Sequence, residues 1–311
     1  MLYGYDLVQI EEGNIGNNKK RFFKILIICI IIAGLLVGGF FAFKFIKQKI
    51  EENQEIKQKE EEQIELKNQE EVARQTQIIE NQKRKKESVN SASFTEEQIQ
   101  AIENIYDYDG EKRVFLTFDD GPNMSVTPYI LDLLKKENIK ATFFVLGNRA
   151  VYNPELIQRE YNEGHYIANH GYSHVYREIY KDVDSVFDEY NSTEQVIQDA
   201  LGNPNYHSKV FRFPGGSTGG YYSSIKAEAL EELRNKGIAS IDWNALSRDA
   251  EGANTVEDLV NNVIETVGDK QSVVILMHDA SDKILTYEAL PEIIQYLRDN
   301  GYSFKNIYDI L

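Results

Sequence analysis

Three textures of apolar and polar positions follow one another along the chain. From Ile25 to Phe43, nineteen residues pass without a charge, mostly Ile, Leu, Val, Phe and Gly. From Glu51 to Glu87 about half of the residues are charged, and no Gly or Pro occurs between Gly39 and Gly110. After Lys112, short β-branched or aromatic runs alternate with amphipathic stretches. The runs predict strands at Val114–Phe118, Thr142–Leu146, Tyr166–Ala168, Val210–Phe213, Ala239–Trp243, Val273–Met277 and Phe304–Ile307. The stretches predict helices at Thr127–Glu137, Pro154–Glu163, Val183–Leu201, Ser224–Lys236, Val256–Val267 and Thr286–Asp299. About seven such βα units point to an α/β fold with a parallel sheet, either a barrel or an open doubly wound sheet.

The first texture has the length of a membrane span, since ~20 apolar residues at 1.5 Å rise cross a bilayer core. It is fenced by Lys19, Lys20, Arg21 and Lys24 before it and by Lys44, Lys47 and Lys49 after it. A helix buried in a soluble domain is seldom apolar on every face, and a cleaved signal would show a shorter run and a small-residue cleavage site. The slight excess of basic residues on the N-terminal side predicts a cytoplasmic tail at 1–24, a retained span at 25–43 and an extracytoplasmic remainder. Residues 44–110 read as a charged, solvated helical stalk that would lift the C-terminal part of the chain about 70 Å off the membrane. Its sparse apolar residues hold no strict heptad, so self-association through a coiled coil is left open. Residues 111–311 make up the globular part.

A formal charge of −16 argues against nucleic acid as a partner. The lone Cys29 excludes a disulfide framework and a cysteine-rich zinc site. Any metal must therefore be held by His and carboxylate. In parallel-sheet architectures ligands gather where strands end, and the polar oddities of this chain lie there. Thr117-Phe118-Asp119-Asp120-Gly121-Pro122 closes a hydrophobic run with adjacent carboxylates and a Gly-Pro turn, which can bring both acids into one mouth. On its own the segment also reads as solvated acids in a plain turn.

His170-Gly171-Tyr172-Ser173-His174 holds two of the five histidines, four residues apart, a spacing that one helical turn brings to one side. With one carboxylate they make a set suited to Zn, Mn, Co or Fe(II), with positions left open for water. Arg212-Phe213-Pro214-Gly215-Gly216 follows another strand, and its Gly pair lets the backbone approach a ligand and offer N–H groups to an oxyanion. Asp242-Trp243-Asn244 and Asp249 follow the next run. Ile275-Leu276-Met277-His278-Asp279 ends a buried run with a titratable imidazole, where a general acid could sit.

Taken in order, these five segments resemble the motifs of the NodB-homology polysaccharide deacetylases, carbohydrate esterase family 4, over residues 114 to about 307. The resemblance implies a distorted (β/α) barrel of about seven strands and removal of N-acetyl groups from amino sugars. It implies one divalent ion, Zn, Mn or Co, on Asp120, His170 and His174, with Asp119 as general base and His278 as acid. Arg212 would tune Asp119 and Asp249 would tune His278. Pro214 and Gly215 would contribute the oxyanion segment, and Leu276 would wall the acetyl methyl pocket. Two departures are visible: Gly215 where many members have Tyr, and Ala250 where many have Trp. His165 matches a structural position, and His207 lies in a polar loop.

The stalk and span together make the substrate a cell-wall polymer, peptidoglycan N-acetylglucosamine before N-acetylmuramic acid, chitin-like or O-acetylated polysaccharide. Two rival classes are a non-haem Fe(II) oxygenase, for which the expected all-β sheet pattern is missing, and a non-catalytic tethered wall-binding protein. The second has no need of Asp119 and His278.

Overall fold

The computed structural model describes residues 12–91 and 93–311. The chain divides into two compact units, one ending at Ile79 and one running from Glu80 to Leu311. Residues 1–11 of the expected cytoplasmic tail lie outside the described residues.

Helix α1 (Glu12–Ser91) accounts for the described part of the first unit. Its run from Ile25 to Phe43 is long and apolar enough to cross a membrane, and no part of it is covered by protein. Leu35 is 72% and Leu36 70% exposed, an exposure that water disfavours and hydrocarbon does not. Beyond the apolar run the helix is decorated with i,i+3 and i,i+4 pairs such as Lys49–Glu52 at 2.7 Å. Freedom from Gly and Pro keeps it helical there without any tertiary packing.

The second unit is built on parallel strands β1 (Arg113–Asp119), β2 (Thr142–Val145), β3 (Tyr166–Asn169), β4 (Val210–Phe211), β5 (Ala239–Ser240), β6 (Ala245–Leu246), β7 (Ser272–His278) and β8 (Ser303–Lys305). They pair in the order β5-β4-β3-β2-β1-β7-β6, with β8 beside the first half of β1. Among the described residues β5 and β6 do not pair, so the sheet curls into a barrel left open along one seam. Helices α3 (Thr127–Lys136), α4 (Gly147–Ala150), α5 (Pro154–Asn162), α6 (Tyr176–Ile179), α7 (Val183–Leu201), α8 (Ser223–Asn235), α9 (Val256–Val267), α10 (Ile284–Asp299) and α11 (Ile307–Ile310) connect or follow the strands.

Side chains alternate across the sheet with period two. Val114, Leu116 and Phe118 of β1, with Val273, Ile275 and Met277 of β7, pack outward under α3, α9 and α10. The residues between them face the barrel interior, where Phe115, Phe144, Tyr166, Ala168 and Val274 form a second core. Both faces are buried, as expected of a parallel sheet, and β1 has no exposed residue.

One boundary differs from the sequence expectation. The stalk does not reach residue 110. Val89, Phe94, Ile99, Ile102 and Ile105 belong to the interior core, so the last turn of α1 and the segment after it, including α2 (Glu96–Glu103), plug the barrel from within. Asn90 is tied on both sides: its carbonyl accepts from His207 N–H at 2.7 Å and its amide donates to the His207 carbonyl at 3.1 Å. The physical reason is that the inward-facing side chains Phe115, Phe144, Tyr166, Ala168 and Val274 are apolar and must be covered, and the apolar residues at helical spacing in α2 cover them. A capping box, Thr95 with Gln98, starts that helix.

Candidate active site

Period-two alternation carries β1 inward through Phe115 and Thr117 to Asp119, and β7 inward through Val274 and Leu276 to His278. Asp119 and His278 are register partners on neighbouring parallel strands, which places them side by side at the same mouth. Two more strand ends contribute. His170 directly follows β3, and Arg212 follows β4, its N–H bonded to the Asn169 carbonyl at 3.0 Å.

Asp120 lies one residue past the strand with φ 74°, so the chain turns and its carboxylate swings to the same mouth as Asp119. A non-glycine residue pays strain in that region of backbone space, and such strain gathers at functional sites. Gly121 has no alternative, because a Cβ there would collide with the carboxylate of Asp279. Asp279 is buried beneath this turn, with its Oδ2 accepting from Thr127 Oγ1 at 2.5 Å. Burial, with the nearby charges of Asp120 and Asp119 adding to it, pushes the Asp279 carboxyl up to about 7.

His170 and His174 do meet, but not on a helix as the four-residue spacing suggested. They lie on a loop in which Gly171 at φ 82° and His174 at φ 59° reverse the chain. Their ring centres are 5.4 Å apart. Glu189 fixes the loop by accepting from the N–H groups of Tyr172 and Ser173, both at 2.6 Å. His170 Nδ1 bonds the Arg212 carbonyl at 2.7 Å, which leaves its Nε2 for a ligand. That nitrogen lies 3.7 Å from Asp120 Oδ1, and His174 Nε2 lies 3.4 Å from the same oxygen.

All three donor atoms fall within 4.8 Å of one another, and Asp120 Oδ1 is a buried oxygen with no hydrogen-bond partner among the described residues. Two imidazoles and a carboxylate are a donor set for a divalent ion with open positions. Burial holds the His170 imidazole down to about 3, so it is neutral and able to ligate across the whole working range.

Asp119 and Arg212 form the deepest pair. Arg212 is fully buried and donates through Nη1 to Asp119 Oδ1 and to Thr117 Oγ1, each at 2.8 Å. Nε and Nη2 reach the carbonyls of Ile241 and Asp242, and the guanidinium lies 3.9 Å from the Phe144 ring centre. Burial raises the Asp119 carboxyl above its ordinary value, and Arg212 opposes that rise. On the other strand, His278 Nδ1 bonds Asp249 Oδ1 at 2.7 Å, while Asp249 Oδ2 accepts from the His278 N–H at 2.7 Å and from Thr286 at 2.8 Å. Burial alone would lower the His278 imidazole, yet the hydrogen bond and charge of Asp249, helped by Asp119 and Asp120, push it up to about 9.

The Pro214-Gly215-Gly216 segment is held from both sides. Pro214 O accepts from Tyr180 at 2.8 Å, and Gly216 O from Lys226 at 2.7 Å. Gly215 is exposed at φ 75°, and its N–H has no hydrogen-bond partner among the described residues. Leu276 is nearly buried on β7, in register with Thr117 and Leu246. Asp119, Asp120, His170, His174, Arg212, Asp249 and His278 therefore come to this one mouth. Thr286, Glu189, Lys226 and Tyr180 were not singled out; they lie on helices or at a helix end, and nothing local marks a helical Thr or Lys as the partner of a distant loop. His165 is buried with Nδ1 accepting from the Ala141 N–H at 3.1 Å, and His207 stands 3.7 Å from Glu194, both away from the mouth.

A family model described as polysaccharide deacetylase matches residues 107–239. A peptidoglycan-N-acetylglucosamine deacetylase of Listeria monocytogenes is 32% identical over 199 residues, 64% of this chain and 39% of its own length. The chain thus spans about two fifths of that relative (39%). A peptidoglycan-N-acetylglucosamine deacetylase of Bacillus cereus is 31% identical, covering 65% of this chain and 89% of its own. Among solved structures, a CE4 esterase of Streptococcus mutans superposes with a TM-score of 0.61 at 31% identity, over 70% of this chain and 96% of that one.

Proposed function

Because the chain belongs to the polysaccharide deacetylase family, we propose that it hydrolyses the N-acetyl group of peptidoglycan N-acetylglucosamine in a metal-dependent reaction, at a site tethered to the outer face of the membrane. The observation that carries this reading is the meeting, at one mouth, of the Asp120, His170 and His174 donors with two oppositely built proton-handling pairs. A binding protein has no use for the second feature. The sugar is supported by the activity of relatives that are 31–32% identical to this chain over the aligned residues.

Asp120, His170 and His174 would hold the ion, which when bound lowers the pKa of a water and polarises the acetamide carbonyl. Asp119 has one oxygen committed to Arg212, so its Oδ2, 3.7 Å from His170 Nε2, is the one that takes the proton of the attacking water. Arg212 opposes the rise that burial causes in that carboxylate and fixes its direction. The Gly215 N–H donates to the oxygen on which negative charge develops. His278, held protonated by Asp249, gives its Nε2 proton to the sugar nitrogen as the C–N bond breaks, so acetate leaves and the amine stays on the polymer. Leu276 walls the methyl end of the acetyl group.

The test is acetate release by the full-length protein in detergent micelles from purified peptidoglycan, compared with chitin oligomers and acetylated xylan. Peptidoglycan is expected to be the best substrate, and chelation to abolish the release. Equal release after exhaustive chelation would remove the metal from the reaction. For the tether, protease added to intact protoplasts should remove the unit Glu80–Leu311. Protection of that unit would place it in the cytoplasm and away from wall sugars.

A further inference from the structure

Gly215 leaves a gap in the wall of the mouth, and the structure fills it from a different element. An ideal Cβ on Gly215 would lie 2.5 Å from the hydroxyl of Tyr176 and 3.1 Å from its Cζ, so the phenol stands where a side chain at 215 would begin. Tyr176 opens α6, two residues after His174, and its ring centre lies 5.6 Å from that of His174 and 5.8 Å from that of Tyr180. Tyr180 is buried and bonded to the Pro214 carbonyl, so the ring beneath Tyr176 belongs to the same clamp that sets Gly215. Tyr176 itself is 40% exposed, and among the described residues its hydroxyl donates to nothing. An aromatic ring with a free hydroxyl therefore stands against Gly215, the residue whose N–H is free, on the rim of the ligand cluster.

We infer that Tyr176 is a substrate-contacting residue: its ring walls the sugar groove that Gly215 leaves open, and its hydroxyl donates a second hydrogen bond to the acetamide oxygen that receives the Gly215 N–H. It rests on the deacetylase function proposed above and names how this chain's own residues complete that site. An oxygen within hydrogen-bond reach of a backbone N–H and a neighbouring phenol gains two fixed donors, and such donors act most strongly where charge develops. Tyrosine suits the task because a large ring held by two torsions gives up little entropy on binding.

The experiment compares full-length wild type with Tyr176→Phe and Tyr176→Ala in the acetate-release assay on peptidoglycan, with metal content and melting temperature measured alongside. Tyr176→Phe keeps the ring and should lower kcat by about 10²-fold, with KM changed less than about twofold and metal content unaltered, because only the charge-stabilising donor is lost. Tyr176→Ala should add a rise in KM from the missing wall. Gly215→Ala, whose methyl would collide with the hydroxyl, should resemble Tyr176→Phe, and the double change should cost less than the sum of the two. Wild-type kcat and KM in Tyr176→Phe would overturn the inference, as would a KM effect alone. A wild type that releases no acetate marks instead a failure of the proposed function.

Discussion

The two sides of the mouth solve opposite problems with the same two ingredients, a carboxylate and a cation. In the proposed reaction the carboxylate works on the β1 side and the cation supports it: Asp119 is buried and raised, and Arg212 holds it from beneath. On the β7 side the cation works and the carboxylate supports it: His278 is pushed up to about 9, and Asp249 is held below the usual carboxylate range because hydrogen bonds from His278 and Thr286 outweigh its burial. The inversion separates the proposed proton acceptor from the proposed proton donor, on adjacent strands. Environment assigns these roles, since burial alone would make both working groups neutral.

The comparison breaks most sharply at Asp119. Asp119→Asn cannot accept a proton, so turnover should fall by about 10²–10⁴ with metal content near normal. Its neighbour Asp120→Asn should instead lose the metal, and elemental analysis of the two variants separates them. If Asp119→Asn strips the ion while Asp120→Asn keeps it, the two acids have exchanged roles. Next comes the support beneath the base. Arg212→Met leaves a buried carboxylate unpaired and should lower stability by about 3–5 kcal/mol, read from denaturant midpoints. A stability within error of wild type would mean that Asp119 is neutral in the resting protein.

On the other side, Asp249→Asn should reduce kcat by about 10–100-fold and move the high-pH limb of the rate profile below its expected place near about 9. The sign comes from the cause. The Asp249 charge favours the imidazolium, and its removal leaves burial, which lowers the imidazole. A limb that stays in place would assign it to another group. The smallest change is Thr286→Val, which removes one hydrogen bond from Asp249 Oδ2; a loss of about 1 kcal/mol corresponds to roughly a fivefold fall in kcat.

Much of this arrangement is legible in the order of residues. Runs such as Val273–Met277 and Thr142–Leu146 announce strands, because an apolar run bounded by turn residues has little choice but a buried sheet. The periodic stretches Val183–Leu201 and Val256–Val267 coincide with α7 and α9 at both ends. The fourth strand-end motif hides β6, since two residues are too few to carry a period. The loop holding His170 and His174 escapes for another reason: four-residue spacing fits a helical turn equally well, and only Gly171 hints at the reversal. The barrel plug had a readable signal, with Ile99 and Ile102 three apart behind a Thr95/Gln98 box, but the charged texture before it masked the change. Tyr176 carries no signal at all, because its importance depends on a glycine thirty-nine positions away in the sequence.

For a chain tethered as proposed above, the plug bears on how the catalytic unit could leave the cell surface. Val89, Phe94, Ile99, Ile102 and Ile105 are core residues of the catalytic unit, yet they precede the first strand. A sheddase that clips between Val89 and Gly110 would pull a piece of the interior out with the stump and release an unfolded chain. An active soluble form must therefore be cut upstream, in the exposed charged part of α1. The N-terminal residue of any fragment found active in the medium should lie before Val89, and sequencing that fragment from its N-terminus reads the limit directly.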